Sequence, residues 1–214
     1  MSSEILPIVA IILLSITSLS MLITTDWRIS IVLISLQYVA VFLLVAISWP
    51  LQMAAVKLVA GWMAGAILGM AVISSPDVRN RLEDVPSGDK SNGNKSTWST
   101  FVQKGSPFHL LAAGLVGITV YYLAPQLSEW IPEIRTIPAL GGLILLGMGL
   151  LKLGFTDQPL MIILGLLTAL AGFEIIYATL ENSVLVAGLL AVINLGLALV
   201  GAYLLIAPDM ESTE

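Results

Sequence analysis

The sequence of 214 residues contains no cysteine and only one histidine, His109. Without cysteine, the chain can form no disulfide bond, thiolate nucleophile or cysteine-ligated metal site, and a single histidine excludes most histidine-rich metal sites. Only 11% of the residues are charged, and the formal net charge of −5 argues against binding to nucleic acid. We therefore expect no metal ion, no other cofactor and no nucleic-acid partner.

The sequence also lacks the local motifs of the common enzyme classes. It has no phosphate-binding loop, no GxSxG nucleophile elbow, no HExxH pair and no cluster of acids suited to metal ligation. No lysine or arginine precedes the first apolar run, whereas a secretory signal peptide would begin with a basic region. We interpret that run as a first membrane span, and the available chemistry as proton or ion movement, or none.

Long runs of apolar residues dominate the sequence. Hydrophobic residues make up 57% of the chain, the mean hydropathy is +0.98, and apolar runs repeatedly approach the roughly 20 residues that cross a bilayer. This pattern predicts an all-α, polytopic transmembrane bundle that forms a single integral membrane domain over residues 1–214. The predicted spans are about 5–25, 29–48, 51–75, 108–124, 138–156, 159–180 and 183–206.

Two polar segments interrupt the spans and indicate their orientation. Residues 76–107 are rich in Ser, Gly, Asn and charge, which predicts a solvated loop, while 125–137 reads as an interfacial segment. Seven basic residues fall on the side of the long loop, and only Arg135 falls on the other. The positive-inside rule then predicts that loop 76–107 and the C-terminus are cytoplasmic and that the N-terminus is outside. We expect a multi-pass protein of the cell inner (cytoplasmic) membrane.

Glycines in the third span indicate close helix packing. Gly61, Gly65 and Gly69 recur every four residues, a spacing that lets another helix or subunit approach the backbone. Such glycines are common in helical membrane proteins and indicate packing without chemistry.

Two ionisable residues, Lys57 and Glu174, lie well inside predicted spans. Placing a charge there costs at least about 2.5 to 3.5 kcal/mol, so such residues are rare. Each lies about six residues, or roughly 9 Å, from the outer end of its span, and the equal depth permits an ion pair. One interpretation is a structural site with a snorkelling lysine and a neutral, hydrogen-bonded acid. The other is a proton-relay pair.

Other polar residues could extend a proton or ion pathway from this pair. Gln37 and Asn194 fall near mid-membrane, and the hydroxyls of Tyr38 and Tyr177 could contribute. Each of these residues alone is more often an interhelical hydrogen bond than a relay member. His109 and Lys152 both lie at inner span ends. Both are expected to be solvated or to snorkel.

The last two spans carry a family resemblance. Residues 172–205 resemble the K subunit (chain 4L) of proton-pumping NADH-quinone oxidoreductase, through GFE at 172–174 and GLAL at 196–199. The position of the K subunit's second membrane glutamate is occupied here by Val192. The resemblance therefore implies a role for Glu174 but not a relay between two carboxylates.

In overall plan, the chain is similar to the E component of hydrogenase 4, which resembles the K subunit with extra helices in front. The shared features are seven spans, a short basic turn at 26–30, Gln37 in the second span and a polar loop that opens at 76–80. This resemblance implies a membrane subunit of a complex I-like, hydrogenase-like or cation-antiporter-like assembly, with other membrane subunits and the lipid bilayer as partners. Such a subunit binds no redox centre and is not itself catalytic.

Two other interpretations of the function remain open. A self-contained small transporter or channel would use Lys57 and Glu174 to line a substrate cavity, although the spans show no convincing internal repeat. A purely structural membrane anchor would need neither residue for chemistry.

Overall fold

The computed structural model describes residues 2–75, 78–79, 82 and 106–211. Most of the predicted loop 76–107 and the last three residues of the chain lie outside this part. The described residues form helices and turns, without a strand. Seven helices have defined bounds within these described residues: α1 (Ser2–Ile23), α2 (Trp27–Val45), α3 (Leu51–Ser74), α4 (Ser106–Trp130), α5 (Thr136–Gly154), α6 (Pro159–Leu180) and α7 (Val184–Glu211).

The predicted all-α membrane fold is confirmed, because each of the seven helices is long and apolar enough to cross a bilayer. Helices satisfy their own backbone polar groups, which is what a segment needs in a medium without water. Residues with fixed or extended backbone mark several helix starts, such as Pro159 at the start of α6 and Pro50 immediately before α3. Most predicted ends agree with the structure within a few residues.

The predicted break at 125–137 is wrong in its first half. Helix α4 continues through Pro125 to Trp130, and the turn that leads to α5 occupies only 131–135. Proline removes one helical hydrogen bond, but membrane helices tolerate this loss better than soluble ones do. Trp130 lies at the very end of α4 with three quarters of its surface exposed.

Helices α5 and α6 approach each other more closely than side chains would allow. A Cβ atom added at Gly172 of α6 would lie 2.5 Å from the carbonyl oxygen of Gly142, and one added at Gly149 would lie 2.6 Å from the backbone nitrogen of Ala169. Neither position can accept a side chain without moving a backbone. These glycines hold α6 against α5.

The three predicted packing glycines of α3 are buried and face α2 of the same chain. Only Gly61 requires the absence of a side chain, since an added Cβ would overlap the ring of Tyr38. At Gly65 and Gly69 the nearest atoms of α2 would lie 3.4 and 3.5 Å away. The close approach of the two helices is therefore concentrated at Gly61.

Short turns connect most of the helices, so neighbours in sequence run antiparallel. The turns at 24–26 and 155–158 lie at one end of the bundle, which we call the turn-24 end, because Lys152 near the end of α5 contacts Thr24. The turns at 46–50 and 181–183 lie at the other end, where Trp49 contacts Glu181. The latter is the turn-49 end.

Candidate functional site

A buried ion pair joins α3 and α6. The Nζ atom of Lys57 lies 2.8 Å from Oε1 of Glu174, and the two side chains are 1% and 0% exposed. The structure thus brings together the two ionisable residues that stand out in the sequence. A snorkelling Lys57 is excluded, because its ammonium group lies inside the bundle and contacts a carboxylate.

The ion pair continues into a chain of hydrogen bonds. Asn194 of α7 donates from Nδ2 to Oε1 of Glu174 at 2.8 Å, and the hydroxyl of Tyr38 on α2 donates to Oδ1 of Asn194 at 2.9 Å. All four residues are fully buried. Four helices therefore meet at one polar centre, which we call the Lys57–Glu174 network and define by Tyr38, Lys57, Glu174 and Asn194.

Glycines place two members of the network. Gly61 lies one turn after Lys57 on α3, and its missing side chain leaves the space that the Tyr38 ring occupies. Gly172 lies two residues before Glu174, and at 100° per residue the two point to opposite sides of α6. The Gly172 side is pressed against α5. Glu174 is thereby directed at Lys57 and Asn194.

Glu174 in the network and Gln37 beside it have polar atoms without a partner among the described residues. Oε2 of Glu174 is buried and accepts no hydrogen bond, and neither side-chain atom of Gln37 is paired although this residue is fully buried. Unpaired polar groups in an apolar interior are costly, and ordered water commonly satisfies them. Gln37 adjoins Tyr38 in sequence, but the structure gives it no direct hydrogen bond to the network.

Tyr177 occupies a different position from the other predicted pathway residues. Its ring is half-buried and stacks on the exposed ring of Phe173, with centroids 5.7 Å apart. The described contacts give its hydroxyl no bond to the network, and Tyr38 supplies that hydroxyl instead. The sequence contains no signal that separates the two tyrosines, because both lie in helices that are apolar on every side.

Lys152 is neither solvated nor snorkelled, and that prediction is wrong. The side chain is 6% exposed, and Nζ donates to the carbonyl oxygens of Met21 at 2.5 Å and Thr24 at 3.0 Å. The last carbonyls of a helix lack partners within that helix and carry partial negative charge. Lys152 therefore caps the end of α1.

Half-buried His109 packs edge-on against the ring of Phe155, with centroids 4.7 Å apart.

The indole of Trp49 joins two turns at the turn-49 end of the bundle. Trp49 is 3% exposed and donates from Nε1 to the carbonyl oxygen of Glu181 at 2.8 Å. This bond ties the α2–α3 turn to the α6–α7 turn. It joins the turns next to the two helices that carry Lys57 and Glu174.

No family model, curated protein or solved structure matches the chain. The described residues contain no group of three or more His, Cys, Asp or Glu residues that could hold a metal ion. Val192 is 65% exposed on α7, so the position of the K subunit's second glutamate faces out of this bundle. The Lys57–Glu174 network is the candidate functional site of the described residues.

Proposed function

We propose that this membrane protein is a subunit of a complex I-like, hydrogenase-like or cation-antiporter-like assembly, to which it contributes a proton-relay site. The observation that carries the proposal is the ion pair between Lys57 and Glu174, 2.8 Å apart and shielded from the surroundings by the bundle. An apolar pair of similar volume often stabilises a buried site equally well or better. Stability alone is therefore a weak reason to keep these charges.

The free oxygen of Glu174 is the acceptor at which a proton would arrive. Oε1 already accepts from Lys57 and Asn194, whereas Oε2 is unpaired. A proton on Oε2 would neutralise the carboxylate and weaken its attraction for the Lys57 ammonium. Loss of that proton would restore the pair. Each transfer would change the charge of the network by one unit, as a relay requires.

Gln37 and Tyr38 suggest where the path would continue. Two unpaired amide atoms on Gln37 favour ordered water beside α2, and Tyr38 connects that helix to Asn194.

Partner subunits would cover part of the apolar surface. Helix α4 exposes several large apolar side chains, among them Leu111, Leu115 and Ile118.

Replacing the titratable group tests the relay directly. Glu174→Gln keeps the size of the side chain and an acceptor for Lys57 but cannot carry the proton. We expect the variant to insert and assemble normally while proton movement, measured as acidification of membrane vesicles, falls at least tenfold. Glu181→Gln is the matched control, because it removes an exposed carboxylate seven residues away on the same chain. Full proton movement by an assembled Glu174→Gln variant would leave the carboxylate with only a structural role.

Purification in mild detergent tests the assembly separately. A reproducible set of co-purifying membrane subunits is the expected result. A chain that purifies alone and moves ions in liposomes would instead support the self-contained transporter.

The proposed orientation places the turn-24 end in the cytoplasm, because most basic residues of the sequence fall on that side. The absence of native cysteine makes labelling unambiguous. Cysteines at Ser91 or Ser212 should be shielded from impermeant thiol reagents in intact cells, while a cysteine at exposed Asn182 should react. Reaction of the first two and protection of the third would reverse the orientation.

A further inference from the structure

A small cavity lies between α1, α5 and α6, nearer the turn-24 end than the Lys57–Glu174 network. It has room for about one water molecule. Its lining combines apolar side chains with three polar ones: Ser18, Met21, Leu22, Met148, Lys152 and Thr168. The network uses none of these residues.

Ser18 is the unexplained member of the lining. Its side chain is 2% exposed, and its hydroxyl has no hydrogen-bond partner among the described residues. The neighbouring hydroxyl of Thr17 donates to carbonyls of its own helix, at 2.9 Å for Leu13 and 3.0 Å for Leu14. Ser18 makes no such bond and lines the cavity instead. A buried hydroxyl without a partner indicates something in the cavity to bond with.

The other two polar groups have bonding capacity left over. An ammonium group has three N–H donors, and Lys152 uses two of them on the carbonyls of Met21 and Thr24. No carboxylate among the described residues pairs with it. The hydroxyl of Thr168 donates to the carbonyl of Leu164 at 2.8 Å, which leaves its oxygen free to accept.

We propose that this cavity binds one ordered water molecule, held by Lys152, Ser18 and Thr168. Water fits because the space accommodates one molecule and because three polar groups on three helices satisfy the two to four hydrogen bonds that a buried water normally makes. The Lys152 ammonium donates to the water oxygen, the water donates to Thr168, and Ser18 completes the shell. The water supplies the third partner of Lys152 and links α1, α5 and α6.

Radiolytic footprinting of the purified full-length protein tests the site without any activity assay. X-ray pulses generate hydroxyl radicals from bound water, and these oxidise the nearest reactive side chains. Met21 is 3% exposed and lines the cavity. Met161 is the matched control, because it is 2% exposed and is absent from the cavity lining. The match extends to the sulfur atoms, each of which lies 3.7 Å from a hydroxyl: that of Thr168 for Met21 and that of Ser30 for Met161.

We expect Met21 to be oxidised several-fold faster than Met161. Ser18→Val should fill the cavity and reduce the Met21 rate to that of the control. Equal rates for the two methionines in the natural protein, or a Met21 rate that Ser18→Val leaves unchanged, would overturn the proposal.

A smaller substitution covers the case in which Ser18→Val does not fold. Ser18→Ala removes a hydroxyl that, in a dry cavity, is buried without a partner, so a dry cavity predicts a higher melting temperature. A bound water predicts a lower one, because its hydrogen bond to Ser18 is lost. A rise in melting temperature would therefore also overturn the proposal.

Discussion

Substituting Lys57 by methionine should show how much the buried ion pair contributes to the free energy of unfolding. Methionine retains most of the apolar stem of lysine but removes the ammonium group 2.8 Å from Glu174. The carboxylate then keeps only the hydrogen bond from Asn194. Removing one partner of a buried ion pair typically costs about 3 to 5 kcal/mol, because the other charge remains buried without compensation.

Proton uptake limits this cost. The lone carboxyl group can avoid burying its charge by binding a proton, which at pH 7 costs about 3.7 kcal/mol for a glutamate with a reference pKa of about 4.3. We therefore expect Lys57→Met to lower the free energy of unfolding by about 3 to 4 kcal/mol at pH 7. The loss should shrink by about 1.4 kcal/mol when the pH is lowered to 6, because protonating the carboxyl group then costs less.

A second substitution should recover stability. In Lys57→Met with Glu174→Gln no charge remains at the site, and the double variant should lie within about 1 to 2 kcal/mol of the natural protein. Unfolding in a dodecyl sulfate titration, followed by helical circular dichroism in mixed micelles, measures Lys57→Met, Glu174→Gln and the double variant. Val59→Met is the control, because it places methionine on the exposed side of the same helix.

Two outcomes would refute this reasoning. If Lys57→Met costs no more than the Val59 control, the ion pair does not form in the folded protein. If the double variant loses the sum of the single losses, Lys57 and Glu174 are not coupled.

Two further predictions concern contacts around the network. Gly61→Ala should reduce the free energy of unfolding by about 1 to 3 kcal/mol in the same titration, because the new Cβ overlaps the Tyr38 ring. The control Gly65→Ala has ordinary contacts and should change the free energy of unfolding by less than about 0.5 kcal/mol. Equal losses for the two variants would contradict the packing at Gly61. Trp49→Phe should cost about 1 kcal/mol through the lost hydrogen bond to the Glu181 carbonyl, and an unchanged unfolding midpoint would show that this bond does not stabilise the turn-49 end.

Helix number and position could be derived from the sequence because they depend on local properties. A run of about 20 apolar residues in a bilayer has to form a helix, whatever its neighbours are. Proline produced the largest boundary error, since Pro125 looks like a helix end in sequence and lies inside α4 in the structure. The residues next to Pro125 in the chain do not indicate whether the helix continues despite the hydrogen bond that proline cannot donate.

The sequence by itself also determined the two central site residues. Lys57 and Glu174 are conspicuous in any arrangement of the spans, because a charge inside an apolar run is costly wherever the helix packs. Equal depth followed from counting residues, and the structure adds the 2.8 Å contact.

Only the tertiary structure decided which polar side chains join that pair. The helices are apolar on all sides, so their sequences hardly indicate which face turns inward, and the rotation of each helix follows from packing. That packing brings Tyr38 rather than Tyr177 to Asn194 and buries Lys152 on the end of α1. It leaves Gln37 without a partner among the residues that the structure describes. Such contacts join residues more than a hundred positions apart in the chain, where no local pattern records them.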